Sequence, residues 1–135
     1  MRGIASKPRP HARRGWLSRN LVVLTVVSLT QDTASELLYP LLPVLLTGLL
    51  AAPPVVLGVT EAVADFTAGI TRWLSGRWSD RRGRRPFVAA GYGFAAIGKV
   101  LVAAATVWPM VLAGRVVDRF GKGVRSAPRD ALIAE

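Results

Sequence analysis

Long apolar stretches alternate with clusters of arginine along this chain. From Leu21 to Leu57 only Asp32 and Glu36 carry charge, and from Phe87 to Gly114 only Lys99 does. About 20 helical residues cross a bilayer's hydrocarbon core. The pattern therefore predicts four membrane helices, at about 20–49, 54–75, 87–107 and 109–134. The fold class expected is all-α, a polytopic helical bundle at 20–135 behind a basic tail at 1–19. The first helix would be about 45 Å long at 1.5 Å per residue, so it must tilt or bend. Pro40 and Pro43 each lack a backbone donor and offer the place. A cleavable leader fits poorly: the first apolar stretch is too long, holds two acids and ends in Pro53-Pro54.

Composition sharpens this picture. The 135 residues are 51% hydrophobic with a mean hydropathy of +0.36, yet 18 Lys and Arg against 8 Asp and Glu give a net charge of +10. A soluble nucleic-acid binder this basic is seldom so apolar, so the charge must be segregated. Residues 1–19 hold Arg2, Lys7, Arg9, Arg13, Arg14 and Arg19 without an acid, and Arg77–Pro86 holds five arginines and one aspartate. The connections Ala51–Pro54 and Trp108–Pro109 are uncharged. Cytoplasmic loops retain Lys and Arg, which puts both termini and the middle connection inside. With no cysteine and a single histidine, His11, the chain offers no disulfide scaffold, no thiolate site and no histidine cluster for a metal. No cofactor is implied.

Charges inside the spans are the candidate chemistry, because an ion at mid-bilayer costs about 2.5–3.5 kcal/mol unless protein or water receives it. Ser28, Gln31, Asp32, Ser35, Glu36 and Tyr39 form one stripe at i, i+3, i+4, i+7, i+8 and i+11. Glu61, Asp65 and Arg72 share a face of the second helix. Arg115, Asp118, Arg119, Lys122, Arg125 and Arg129 line one side of the fourth, with Leu112, Val116, Phe120, Val124 and Leu132 opposite. Three helices with wet sides predict a bundle around an aqueous cavity, with acids on two walls and cations on the third. Arg72 and Lys99, as single cations near acids, read as structural partners. The fourth segment has a rival reading as an amphipathic surface helix, which its uncharged start at Trp108-Pro109-Met110 opposes. Small residues in the third helix (Gly91, Gly93, Ala95, Gly98) and Gly58, Gly69 and Gly76 in the second read as sites of close helix packing.

The middle connection reads Gly76-Arg-Trp-Ser-Asp80-Arg81-Arg82-Gly83-Arg84-Arg85-Pro86. Gly83 suits the positive φ of a tight turn, and Asp80 is the lone anion among arginines that favour bidentate carboxylate contacts. This G-x-x-x-D-R-x-G-R-R pattern resembles the connection between helices two and three of the major facilitator superfamily of transporters. Asp32-x-x-x-Glu36-x-x-Tyr39-Pro40 and Gly114-Arg115-x-x-Asp118-Arg119-x-Gly121-Lys122-Gly123-x-Arg125 are similar to the first and fourth helices of one branch, mostly of unassigned substrate. The resemblance covers nearly everything after residue 19. It implies an N-terminal piece, the first four helices of a twelve-helix fold whose two halves flank a central site.

On that resemblance the function is transport of a small solute by alternating access across the plasma membrane. Asp32, Glu36, Tyr39, Glu61, Asp65, Arg115, Asp118 and Arg119 would face the central cavity. Gly76, Asp80, Arg81, Gly83, Arg84 and Arg85 would form an inner gate, with Glu135 as partner on helix four. Carboxyl groups in a partly dry cleft exchange protons closer to neutral pH than in water, so Glu36 and Glu61 are the candidate carriers if protons drive uptake or efflux. The partners implied are the lipid bilayer, a small-molecule substrate and protons. The cations of helix four hint at an anionic substrate or lipid headgroup. Two alternatives stay open: a four-helix transporter self-assembled from several copies, and a gene fragment without activity. A nucleic-acid binder is opposed by the apolar spans. An enzyme is opposed by the lack of a nucleophile–base pair or a phosphate loop, since Gly121-Lys122-Gly123 has neither the upstream glycine nor the following Ser or Thr.

Overall fold

The computed structural model describes residues 19–134, so the tail 1–18 and Glu135 lie outside the described residues. Four helices follow in order: α1 (Arg19–Pro43), α2 (Pro54–Arg82), α3 (Arg85–Ala103) and α4 (Trp108–Ala134). By length and composition α1 with its extension, α2 and α3 are apolar enough to cross a membrane. The 27-residue α4 has the length but not the apolarity.

Pro40 and Pro43 do not break the first helix. The chain stays helical through both and widens just after them into a π-helical turn, Val44–Leu49. Leu50 N–H reaches back to Leu45 O at 3.0 Å, and Ala52 N–H to Leu46 O at 2.8 Å. A widened turn is one way a helix absorbs donors lost to proline. Ala51 then takes a positive φ of 49° and Pro54 begins α2, where its missing N–H has no cost.

The second helix runs to Arg82, seven residues beyond the expected end at 75. The stretch expected as a loop is mostly helix, because polarity marks where the chain leaves the hydrocarbon, not where its helix stops. Termination comes at Gly83, whose φ of +91° only glycine tolerates readily. Its N–H bonds Ser79 O at 3.0 Å, and α3 starts two residues later with Pro86 in its first turn.

The fourth helix is the centre of the assembly, packed along both α2 and α3, while α1 meets the others mainly near its C-terminal end. There Leu42 and Leu46 join Ala52, Val102 and Val111 in a buried apolar cluster. Helices α3 and α4 run antiparallel at near backbone contact: Gly98 faces Gly114 and Asp118, and Gly91 faces Gly121 and Arg125. Gly123 of α4 abuts Ala68 and Thr71 of α2, and Ser75 Oγ donates to Gly123 O at 3.1 Å. Gly58, Gly69 and Gly93 serve no such contact, since a β-carbon on any of them would meet nothing within 4 Å. At Gly76 it would meet only Ala127, at an ordinary 3.5 Å.

Burial is inverted relative to a water-soluble domain. Arg115, Asp118, Arg119, Arg125, Thr60 and Ser35 are buried, whereas Leu29, Val55, Phe66, Trp73 and Val100 are each more than 60% exposed. Apolar side chains outward and paired ions inward is the distribution a hydrocarbon solvent favours.

Candidate functional site, an ion-paired cleft between helices one, two and four

The polar stripe of α1 turns toward α3 and α4, and long side chains bridge the gap. Ser28 Oγ lies 2.5 Å from the Tyr92 hydroxyl, Gln31 Oε1 accepts from Lys99 Nζ at 3.0 Å, and Asp32 Oδ1 accepts from Arg125 Nη2 at 3.1 Å. Further out, Arg119 Nη2 donates to the Tyr39 hydroxyl, and the guanidinium carbons of Arg115 and Arg119 each stand 5.2 Å from the Tyr39 ring centre.

Acids of α2 meet the same arginines from the other side. Arg115, wholly buried, grips Glu61 in bidentate fashion, with Nε to Oε1 at 2.9 Å and Nη2 to Oε2 at 2.8 Å. Arg119 lies 3.8 Å from Glu61 and 3.5 Å from Asp65. Behind them Asp118, itself buried, takes Lys99 Nζ at 2.6 Å and sits 3.7 Å from Arg115 Nη1. An unbroken line of alternating charge thus runs among α3, α4 and α2, through Lys99, Asp118, Arg115, Glu61, Arg119 and Asp65, and Lys99 ties it to Gln31 of α1.

This arrangement corrects the expected cavity of acids facing cations across water. The opposite charges touch. The charged side of α4 faces inward as expected: Arg115, Asp118, Arg119 and Arg125 are buried, while Phe120, on the opposite flank, is 38% exposed and stacks edge-on with Phe94. Lys99 is a structural partner, as its isolation suggested; Arg72 pairs at the surface with Asp130 at 3.4 Å.

Seven of the candidate cavity residues come together, and Glu36 does not join them. It is exposed and, among the described residues, is the only acid without a cation within 4.0 Å. Helical geometry explains this. At 100° per residue, Ser28, Gln31, Asp32, Ser35 and Tyr39 cluster around one direction, and Glu36 falls roughly 60° or more to one side. Arg125 and Arg129 belong to the cleft although their roles there were not expected: both converge on Asp32, Arg129 Nη1 at 3.7 Å.

The residues expected to form the gate lie at the C-terminal end of α2. Asp80 pairs with Arg84 at 3.6 Å across the Gly83 turn, at the mouth of an open groove of about 580 Å³ that Arg85, Pro86 and Leu132 also line. Arg81 and Arg85 are exposed, and Gly76 packs near Ala127 of α4. Glu135, the expected partner, is outside the described residues.

The family model described as Major Facilitator Superfamily matches residues 24–135. The chain is 34% identical over 120 residues to the uncharacterized MFS-type transporter MJ1317 of Methanocaldococcus jannaschii, an alignment that takes in 88% of this chain and 30% of that protein. The chain therefore spans about a third of the length of the curated relative it matches. No solved structure matches. The family match over most of the chain, together with the inverted burial and paired intramembrane ions, shows that this chain is a multi-pass membrane protein belonging to the major facilitator superfamily.

Proposed function

We propose that this segment forms one wall of a secondary transporter that moves a small solute by alternating access, with Glu36 as the residue that exchanges a proton. All four helices cross the plasma membrane in this reading, with both termini and the arginine-rich α2–α3 turn inside. The fourth crosses only because its charges are answered by neighbours, which lowers the cost of each intramembrane ion. The observation that carries the proposal is the contrast between the two candidate proton carriers. Glu61 is held by two hydrogen bonds from a buried guanidinium, and among the described residues Glu36 has no cation within 4.0 Å. A carboxyl group can take up and release a proton in every cycle only if no fixed partner claims it.

Asp80 and Arg84, beside the Gly83 turn, are suited to hold the inner ends of α2 and α3 together in one conformation and part in the other. The test is pH-gradient-driven flux in liposomes by a full-length homologue carrying the same residues. E36Q should abolish coupling to the gradient while leaving exchange of solute across equal pH intact. Undiminished gradient-driven flux in E36Q removes Glu36 from the mechanism.

A further inference from the structure

We infer that Arg125 and Arg129 form a binding site for a small oxyanion, a phosphate or carboxylate, which Asp32 occupies in this conformation. Arg125 is 1% exposed, yet its Nε and Nη1 are buried without an acceptor, and only Nη2 is engaged, by Asp32 Oδ1 at 3.1 Å. The Asp32 carboxylate spans two cations, with Oδ1 on Arg125 and Oδ2 3.7 Å from Arg129 Nη1. That is the pose of a bound anion between two guanidinium forks.

The site is built, not incidental. Arg125 lies over the Tyr92 ring at 4.5 Å from its centre, and Tyr92 is fixed in turn by Ser28 at 2.5 Å. The aromatic ring braces the guanidinium without engaging its Nε or Nη1. Local charge also exceeds what the acids supply. Asp130 is shared between Arg129 at 3.2 Å and Arg72 at 3.4 Å, and Lys122, on the same face of α4 one turn before Arg125, has no acid within 4.0 Å among the described residues.

Asp32 is the removable part. Its side chain is 40% exposed, so it caps the buried arginine from the open side of the cleft. It rides on α1, the helix least packed against the rest. When α1 shifts, Asp32 leaves with it, and an oxyanion entering by the same side finds Arg125 already held in place. The inference rests on the fold alone and not on transport, so a result against proton-coupled flux would leave it standing.

The test uses the chain in nanodiscs of neutral phosphatidylcholine, titrated with inorganic phosphate and followed by 31P line broadening. D32N should bind phosphate at least tenfold more tightly than the unaltered chain, and D32N/R125Q should lose that gain. Adding phosphatidylglycerol to the discs separates two sources of the anion. Competition with free phosphate in D32N identifies a lipid headgroup as the occupant, and unchanged binding identifies a free solute; either supports an oxyanion site. Equal phosphate affinity in D32N and the unaltered chain overturns the inference, as does tight binding that survives R125Q. D32S replaces D32N if the latter loses helicity by circular dichroism. Failure of both to stay helical also overturns it, because the carboxylate would then be structural and not exchangeable.

Discussion

Placing a single methyl group at either of two glycines of α3, Gly93 and Gly98, about 7.5 Å apart along the helix at 1.5 Å per residue, should move stability in opposite directions. A β-carbon at Gly98 would press on the backbone nitrogen of Asp118 and stand 2.6 Å from the carbonyl oxygen of Gly114. Ordinary contact begins at about 3.4 Å, so α4 must retreat by at least about 0.8 Å to clear the Gly114 oxygen, and further to clear the Asp118 nitrogen. The obstacle is backbone on both counts, and no rotamer change relieves it. Overpacking of this kind costs about 1–3 kcal/mol, offset by about 0.5–1 kcal/mol from replacing glycine within a helix. G98A should therefore destabilise by about 1–2 kcal/mol. At Gly93 nothing lies within 4 Å, so G93A keeps only the helix gain and should stabilise by about 0.5–1 kcal/mol. Unfolding in mixed micelles, titrated with denaturing detergent and followed by far-ultraviolet circular dichroism, reads both. Equal midpoints for G98A and G93A would refute the close approach of α3 and α4.

Other substitutions probe the ions. E61Q leaves Arg115 buried without its carboxylate and should cost about 3–5 kcal/mol, while E61Q/R115Q should recover much of that loss, in the same unfolding assay. K99M leaves Asp118 facing Arg115 alone, and K99M/D118N should be more stable than K99M. E36Q, with no ion-pair partner to lose among the described residues, should shift stability by less than about 0.5 kcal/mol. The chain has no cysteine, so R81C can be labelled without background; a membrane-impermeant maleimide should reach it from the inner face of sealed vesicles only.

Much of the fold was legible because lipid and water leave opposite marks on sequence. Four helices, the family and the stripe through Ser28, Gln31, Asp32 and Tyr39 follow from periodicity, charge segregation and the Asp80–Arg85 pattern. What escaped the sequence was register between helices. Asp32 meets Arg125 across 93 positions, and Glu61 meets Arg115 across 54, and no local rule fixes either distance. The glycines show the same limit. Gly58, Gly69 and Gly98 look alike in sequence, yet only Gly98 faces another backbone. Glu36 stands apart from the ion pairs because its i+8 position lies at the edge of the stripe, an offset that spacing alone does not reveal. The end of α2 was set too early because an arginine-rich stretch looks like a loop, although arginine is a good helix former and only Gly83 stops the helix.

Glycines and charges in this bundle form one device, most visibly at residues 98 and 99. Gly98 lets α3 touch the backbone of α4 at Asp118, and the next residue, Lys99, delivers its ammonium to the Asp118 carboxylate at 2.6 Å. The same approach holds Asp118 beside Arg115, and Arg115 in turn reaches Glu61 on α2. Moving α4 by at least about 0.8 Å therefore should lengthen the Lys99–Asp118 contact as well as open the packing, so G98A already removes part of what K99M removes. Independent sites add within about 0.3–0.5 kcal/mol, whereas neighbours that share a contact deviate by about 0.5–3 kcal/mol. G98A/K99M should accordingly lose less stability than the two single losses combined, by at least about 0.5 kcal/mol. Strict additivity would mean that packing and pairing were separate, and that the heavily charged α4 is held among apolar helices by shape alone.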